Sequence, residues 1–306
     1  MLALLCGGQG LQSADMFSLV ADRPEAATIF EEATRLLGED PRHLVQNAKS
    51  DRLATNRTSQ ILSVTAALTL HACIQDALPE QLAVTGYSVG EMAAWSIAGI
   101  WTASTTLRLT DERARAMDVA GGVGGRLGYV RGLRQPTIEL LTERHHCAIA
   151  ITNPGNLFIV GGREPDVIAV CAAALAAGAV RADLLAVKIA SHTTHLATAV
   201  APLRAALATE ILAEPIAGRL LLAGGDGERV VAVATAAAKL AAQVATPVDW
   251  ITTLDVLSES GVDRALDLGP GHALAEMARA AIPDVQSYAA DAFRSVAGIR
   301  KWLAPG

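Results

Sequence analysis

Residues 82–97 read Leu-Ala-Val-Thr-Gly-Tyr-Ser-Val-Gly-Glu-Met-Ala-Ala-Trp-Ser-Ile, and the reading of this stretch decides the fold. Residues 82–85 form a short apolar run without polar alternation, as a strand covered on both faces requires. Gly86-Tyr87-Ser88-Val89-Gly90 breaks the run, and residues 92–97 continue as a helix. A strand that turns at once into a helix is the repeating unit of α/β proteins. The glycines flanking Ser88 permit a sharp turn that lifts the serine oxygen clear of the backbone. The new helix then sets its N–H groups and positive dipole end behind that oxygen, where a tetrahedral oxyanion forms during nucleophilic attack. Gly-x-Ser-x-Gly also occurs in plain turns; the apolar strand ahead of it favours the nucleophile elbow.

Working outward, residues 2–6 read as a second buried strand that ends in Gly7-Gly8-Gln9-Gly10, a tight loop exposing backbone N–H groups. Residues 24–37 and 60–78 carry apolar side chains at helical spacing, the second stretch nearly all round and therefore buried. A helix is expected over 103–119, followed by the joint Gly121-Gly122-Val123-Gly124-Gly125. The pattern beyond the joint predicts a strand near 127–132, a helix over 136–144, strands at 148–152 and 157–160, a helix over 164–177 and a strand near 180–187. That βαββαβ order is the ferredoxin-like split unit. Helices at 194–208 and 230–244 and a strand near 220–223 follow, then a helix beginning at Trp250. A strand at 265–268 turns through Gly269-Pro270-Gly271 into a helix over 272–281. The expectation is an α/β protein with a large discontinuous body, residues 1–120 and 188–306, and a small ferredoxin-like subdomain, residues 121–187, inserted into it.

Half of the 306 residues are apolar (51%) and 18% are charged, enough for a large buried core. A net charge of −6 without a dense Lys/Arg run argues against a nucleic-acid partner and an anionic membrane. The longest apolar stretch, 167–180, is shorter than the roughly 20 residues a spanning helix needs and reads as a buried helix. Residues 1–6 lack the basic start and cleavage pattern of a signal peptide, so a cytoplasmic setting is expected. Cys6, Cys73, Cys147 and Cys171 are scattered, with no CxxC pair and no histidine at metal-ligand spacing. Neither a disulfide framework nor a metal site is expected; they read as small core hydrophobes.

A nucleophilic serine needs a base. The other chemistry-rich stretch is Ala190-Ser191-His192-Thr193-Thr194-His195, directly after the last strand of the insertion. The residue pattern leaves both histidines open for that role, and equally admits a helix cap with a solvated second ring. No Asp or Glu stands where it would complete a triad, which leaves a backbone carbonyl to orient the ring.

Six motifs occur in order along nearly the whole chain: Gly8-Gln9-Gly10; Gly86-Tyr87-Ser88-Val89-Gly90-Glu91; Arg113 and Met117 in Arg-Ala-Arg-Ala-Met; Ala190-Ser191-His192; Pro247-Val248-Asp249-Trp250; and Leu268-Gly269-Pro270-Gly271. Together they resemble the malonyl-CoA:acyl-carrier-protein transacylase family. Within it, Tyr87 in place of the usual histidine, together with residues 36–41 and 86–95, resembles the malonate decarboxylase epsilon subgroup. The resemblance implies an α/β-hydrolase-like acyltransferase body with the small subdomain inserted. It makes Ser88 the nucleophile and His192 the base, with the backbone N–H groups of Gln9 and Val89 as the oxyanion hole. Asp249 falls where the family supplies a backbone carbonyl to the histidine. Arg113 would grip the free carboxylate of malonyl through a two-pronged contact that lysine does not reproduce.

Two positions depart from the family pattern. Cys6-Gly7 replaces the usual Phe-Pro, and Ser191 stands where some malonyl-selective relatives carry a bulky aromatic residue, so methylmalonyl is not excluded. The implied partners are malonyl-CoA, an acyl-carrier protein or carrier subunit with a phosphopantetheine-type thiol, and other malonate decarboxylase subunits; no cofactor or metal is implied. Three rivals stand beside this reading. One is the malonyl-CoA:acyl-carrier-protein transacylase of fatty acid or polyketide synthesis. A serine hydrolase should instead show an acid before its histidine and have no need of Arg113. A non-catalytic carrier-docking subunit has no need of Ser88, His192 and Arg113 together.

Overall fold

Leu2–Cys6 (β1) and Leu82–Gly86 (β2) bury every residue, which is why neither strand alternates apolar with polar side chains. In the computed structural model, which describes residues 1–304, the two lie side by side in parallel, Leu2 opposite Leu82 and Cys6 opposite Gly86. Pro305 and Gly306, the end of the expected body segment, lie outside the described residues. Eight further strands follow: Gly125–Arg131 (β3), Ala148–Asn153 (β4), Leu157–Arg163 (β5), Arg181–Leu184 (β6), Arg219–Leu221 (β7), Val248–Asp249 (β8), Arg264–Asp267 (β9) and Gln286–Ala289 (β10). The large sheet has the order β10-β9-β1-β2-β7 and is parallel throughout. The small sheet has the order β6-β3-β5-β4-β8, with β8 parallel to β4 and the other pairs antiparallel. The fold is thus α/β with a small ferredoxin-like unit, as the sequence predicts.

Parallel strands gather their loops at the carboxyl ends, where ligands of open α/β sheets bind. Here the ends of β1, β2 and β9 bring together the loops after Cys6, Gly86 and Asp267. The helix Asn56–Ile74, buried on nearly all sides, reaches the loop after Cys6, where Ser63 Oγ donates to the Gly8 carbonyl (3.1 Å). Its threonines satisfy themselves inside the helix: Thr65 Oγ1 donates to the Ile61 carbonyl (2.7 Å) and Thr69 Oγ1 to that of Thr65 (2.8 Å). A second, smaller core under the small sheet contains Val130, Ile138, Phe158, Val160 and Val170. Cys6, Cys73 and Cys171 are buried, and Cys147 half-buried.

Two expected elements differ in the structure. The strand expected over 180–187 is regular only over Arg181–Leu184; beyond it Leu185 N–H donates to the Leu127 carbonyl (2.9 Å) and Leu127 N–H to the Val187 carbonyl (3.4 Å), an irregular continuation along β3 that lines a cavity. The helix expected over 194–208 is a 3-10 turn, Thr194–Ala199, followed by a new helix, Val200–Ala208. Pro202 has no N–H to donate and fits only in a first helical turn, so the helix restarts to accommodate it. β8, β10 and the helix Val296–Leu303 carry too short a pattern to be read in advance. Among the described residues no helix is long and apolar enough to cross a membrane.

Candidate active site

The turn after β2 admits no side chain at its glycines. A Cβ on Gly86 would lie 2.2 Å from the Glu91 nitrogen, and one on Gly90 would lie 2.1 Å from the Cys6 oxygen. Tyr87 N–H donates to the Cys6 carbonyl (2.9 Å), while Gly90 and Glu91 N–H groups return to the carbonyls of Tyr87 and Ser88 (3.0 and 3.1 Å). These bonds hold Ser88 at φ 57°, a left-handed conformation that a non-glycine residue keeps only when its surroundings impose it. The serine is thereby aimed away from its own helix.

His192 is held in the same manner, at φ 61°, with its backbone N–H on the Val244 carbonyl (2.8 Å). The ring is fully buried. Its Nε2 stands 2.7 Å from Ser88 Oγ, and its Nδ1 stands 2.7 Å from the Gln243 carbonyl oxygen. A carbonyl only accepts, so the pairing assigns the ring hydrogen to Nδ1 and leaves Nε2 bare to take the serine proton. Burial, and then the charge of Arg113, push the His192 pKa down to about 3, against the pull of the Gln243 carbonyl. The ring is therefore neutral at neutral pH, the form a base requires. His195 is exposed and outside the site.

Asp249 does not orient the histidine. It is exposed and caps the next helix, its side chain accepting from Thr252 N–H (3.1 Å) and Thr252 Oγ1 (2.8 Å). Its carbonyl accepts from Thr253 Oγ1 (3.2 Å). The carbonyl that reaches the ring belongs to Gln243, six residues earlier, where the chain leaves the helix Val233–Ala242 and a helix end has carbonyls to spare.

Arg113 lies within the helix Ala103–Gly121 and is 1% exposed. Its Nη1 donates to Gln60 Oε1 (2.6 Å) and contacts Met117 Sδ (3.2 Å). Its Nε and Nη2 are buried and have no partner among the described residues. Burial lowers its pKa to about 10, with the charge of Glu91 opposing, so the guanidinium stays charged at neutral pH. Arg108 and Arg115, its neighbours in sequence, spend their charges at the surface on Glu112, Glu210 and Asp111.

The backbone N–H groups of Gln9 and Val89 donate to no acceptor among the described residues. Gln9 shares with Ser88 and His192 a cavity of about 70 Å³, walled by Leu127, Ile151 and Ile159 of the small sheet. A wider, mainly apolar cavity of about 180 Å³ also borders Gln9, Tyr87, Ile159, Leu185 and Val187. The two cavities share Gln9, Tyr87, Ile159, Leu185 and Val187 in their walls, and the smaller one reaches the serine. Sequence reasoning missed Gln60, Gln243 and Glu91. Gln243 is an isolated amide in an apolar stretch and Gln60 ends the polar run from Asn56, a weak signal in either case; Glu91 stands inside the elbow motif, which gives it no role.

No family model matches the chain. It is 28% identical over 283 residues to the malonyl CoA-acyl carrier protein transacylase of Salmonella typhimurium, covering 89% of this chain and 90% of that one. The acyl-carrier-protein S-malonyltransferase of Burkholderia pseudomallei superposes with a TM-score of 0.89 at 26% identity, over 98% of this chain and 99% of that one. The MCAT of Mycobacterium tuberculosis superposes with a TM-score of 0.89 at 28% identity, over the full length of both. The chain is an acyltransferase, similar to these transacylases in both sequence and fold.

Proposed function

We propose that this acyltransferase moves a malonyl group from malonyl-CoA through an ester on Ser88 to the phosphopantetheine-type thiol of an acyl-carrier protein. The observation that carries the malonyl reading is Arg113: a buried guanidinium with two unpartnered nitrogens, near enough to His192 for its charge to bear on the ring. A buried cation of this kind wants a carboxylate, and the two-pronged geometry of the guanidinium suits one. An acyl group with a free carboxylate supplies it; an acetyl group does not.

In the proposed reaction Ser88 Oγ attacks the thioester carbon while His192 Nε2 takes the hydroxyl proton. The N–H groups of Gln9 and Val89 face the oxygen that gains charge. The carbon–sulfur bond then breaks, and His192 returns the proton to the departing CoA sulfur. The carrier thiol reverses these steps, giving its proton to His192 as it attacks the ester. Ester and thioester differ little in stability, so transfer competes with hydrolysis by excluding water, which the buried Ser88–His192 pair favours. The mainly apolar cavity beside the serine suits the thin arm that ends in the thiol of CoA or of a carrier.

Two carriers fit this chemistry. The names of the similar proteins favour an acyl carrier protein, the carrier that a transacylase of fatty acid or polyketide synthesis would use. The carrier subunit of malonate decarboxylase, with its sister subunits as partners, rests on Tyr87 and residues 36–41. Tyr87 packs edge-on against Trp250, ring centroids 5.2 Å apart, and so forms a wall of both cavities. The division into a body of 1–120 and 188–306 and a subdomain of 121–187, and a cytoplasmic setting, belong to the same reading. The experiment is intact mass after loading with malonyl-CoA, followed by each carrier in turn. Faster discharge to holo acyl carrier protein supports the first carrier and faster discharge to the decarboxylase subunit the second. Release to water with neither makes the protein a hydrolase.

A further inference from the structure

We propose that Glu91 is the positioning residue of the active site, holding His192 in register with Ser88 through the side chain of Gln243. This inference rests on the reading that Ser88 and His192 are the reacting pair.

Glu91 is 2% exposed, in the first turn of the helix that opens after the elbow. Its Oε2 accepts two hydrogen bonds, from Gln243 Nε2 at 2.5 Å and from Gly224 N–H at 2.8 Å. Gln243 is the residue whose carbonyl accepts from His192 Nδ1. The contacts therefore close a ring: Ser88 to His192, His192 to the Gln243 carbonyl, the Gln243 side chain to Glu91, and Glu91 N–H back to the Ser88 carbonyl at 3.1 Å. One six-residue motif thus carries the nucleophile and, one turn later, the clamp on the group that orients the base.

Gln243 needs such a clamp. It opens the 3-10 turn Gln243–Ala245, where the preceding helix ends and backbone carbonyls lose their intrahelical partners. A backbone carbonyl has no side-chain torsion of its own to aim it; its direction follows from how its residue is anchored. The anchor here is the amide of Gln243 on Glu91. Glu91 forms no ion pair among the described residues: Lys239 and Asp226 pair with one another at 2.5 Å, and Arg113, whose charge bears on Glu91, donates to Gln60 instead. Burial pushes the Glu91 carboxyl up to about 7, so the fold keeps it in an unfavourable place. If the anchor fails, the carbonyl drifts, the ring hydrogen is free to move to Nε2, and the base presents the wrong nitrogen to the serine.

The test follows Ser88 with two reagents, malonyl-CoA and a fluorophosphonate that labels an activated serine whatever its natural acyl group. Glu91→Ala and Gln243→Ala should each slow both reactions about 10- to 100-fold, part of what a positioned base contributes. KM for malonyl-CoA should stay within about threefold. The double variant should be no slower than the slower single one, because both break the same link. Glu91→Gln keeps an oxygen able to accept from both donors and should recover most of the rate. In 15N spectra of the histidines, His192 should show Nδ1–H in the wild type and in Glu91→Gln, and a mixture of tautomers in Gln243→Ala. Effects that add in the double variant, a loss confined to KM, or a Glu91→Gln variant as slow as Glu91→Ala would overturn the proposal. If Glu91→Ala does not fold, Gln243→Ala and Glu91→Gln still decide it. Wild type labelled at Ser88 by fluorophosphonate but not by malonyl-CoA would count against the malonyl reading and leave the clamp standing.

Discussion

The two halves of the site are built in opposite ways. Ser88, in the turn after β2, and His192, in a turn before the 3-10 segment Thr194–Ala199, both sit on left-handed backbone, and each reacting atom already has its partner, at 2.7 Å. Arg113 sits within a regular helix, and two of its nitrogens have none among the described residues. The half that makes and breaks bonds is thus complete before any ligand arrives, whereas the half that reads the acyl group is left for the ligand to complete. Preorganisation belongs where charge develops in the transition state; an open valence belongs where the substrate must be told apart from its analogues.

The comparison can be broken at its reacting half first. Ser88→Ala should abolish the covalent malonyl adduct in intact-mass spectra while leaving circular dichroism and melting temperature unchanged, since the hydroxyl fills no core space. An adduct of wild-type yield would move the nucleophile elsewhere. His192→Ala should lower the rate of Ser88 acylation by about 100- to 10,000-fold, as for other positioned general bases. His195→Ala, at an exposed position, should change it by less than about threefold; a large loss there would reverse the two histidines.

The recognition half should break differently. Arg113→Ala removes a charge-assisted contact worth about 2 to 3 kcal/mol, so malonyl loading should fall some 30- to 150-fold more than acetyl loading. Arg113→Lys should restore little of it, because an ammonium does not reproduce the two-pronged fit. Equal losses for both acyl groups would make Arg113 structural. The smallest effect joins the halves. With the His192 pKa at about 3, the base form persists as pH falls, so fluorophosphonate labelling should stay nearly level from about pH 8 to 5. A histidine of ordinary pKa would lose about thirtyfold across that range. Because Arg113 contributes to the depression, Arg113→Ala should move the acid limb upward. An unchanged limb would uncouple the two.

Legibility in the sequence divides along the same line. The elbow is local: a buried strand, two glycines and a serine within five residues state their own geometry, and Gly86 and Gly90 prove to have no room for a side chain. The βαββαβ order of the small unit is likewise carried by periodicity. Arg113 carries no local mark, since Arg108 and Arg115 share its helix, and only the ordered motifs of the resemblance single it out. Burial separates the three, and burial is a tertiary fact. The partner of His192 was misplaced on Asp249 for a related reason. A backbone carbonyl exists at every residue, so sequence has no letter for the one that faces the ring; that choice is made by where the helix Val233–Ala242 ends and by the Gln243 side chain reaching Glu91.

Whether a preset serine–histidine pair serves an acyl group recognised by its free carboxylate is decided by one competition. The wild-type protein is given equimolar malonyl-CoA and acetyl-CoA for less than one turnover, and the adducts on the Ser88 peptide are weighed. Malonyl should stand on Ser88 in large excess over acetyl, and that excess should collapse in Arg113→Ala. Equal loading of the two acyl groups in the wild type, or an adduct on any other residue, would contradict it.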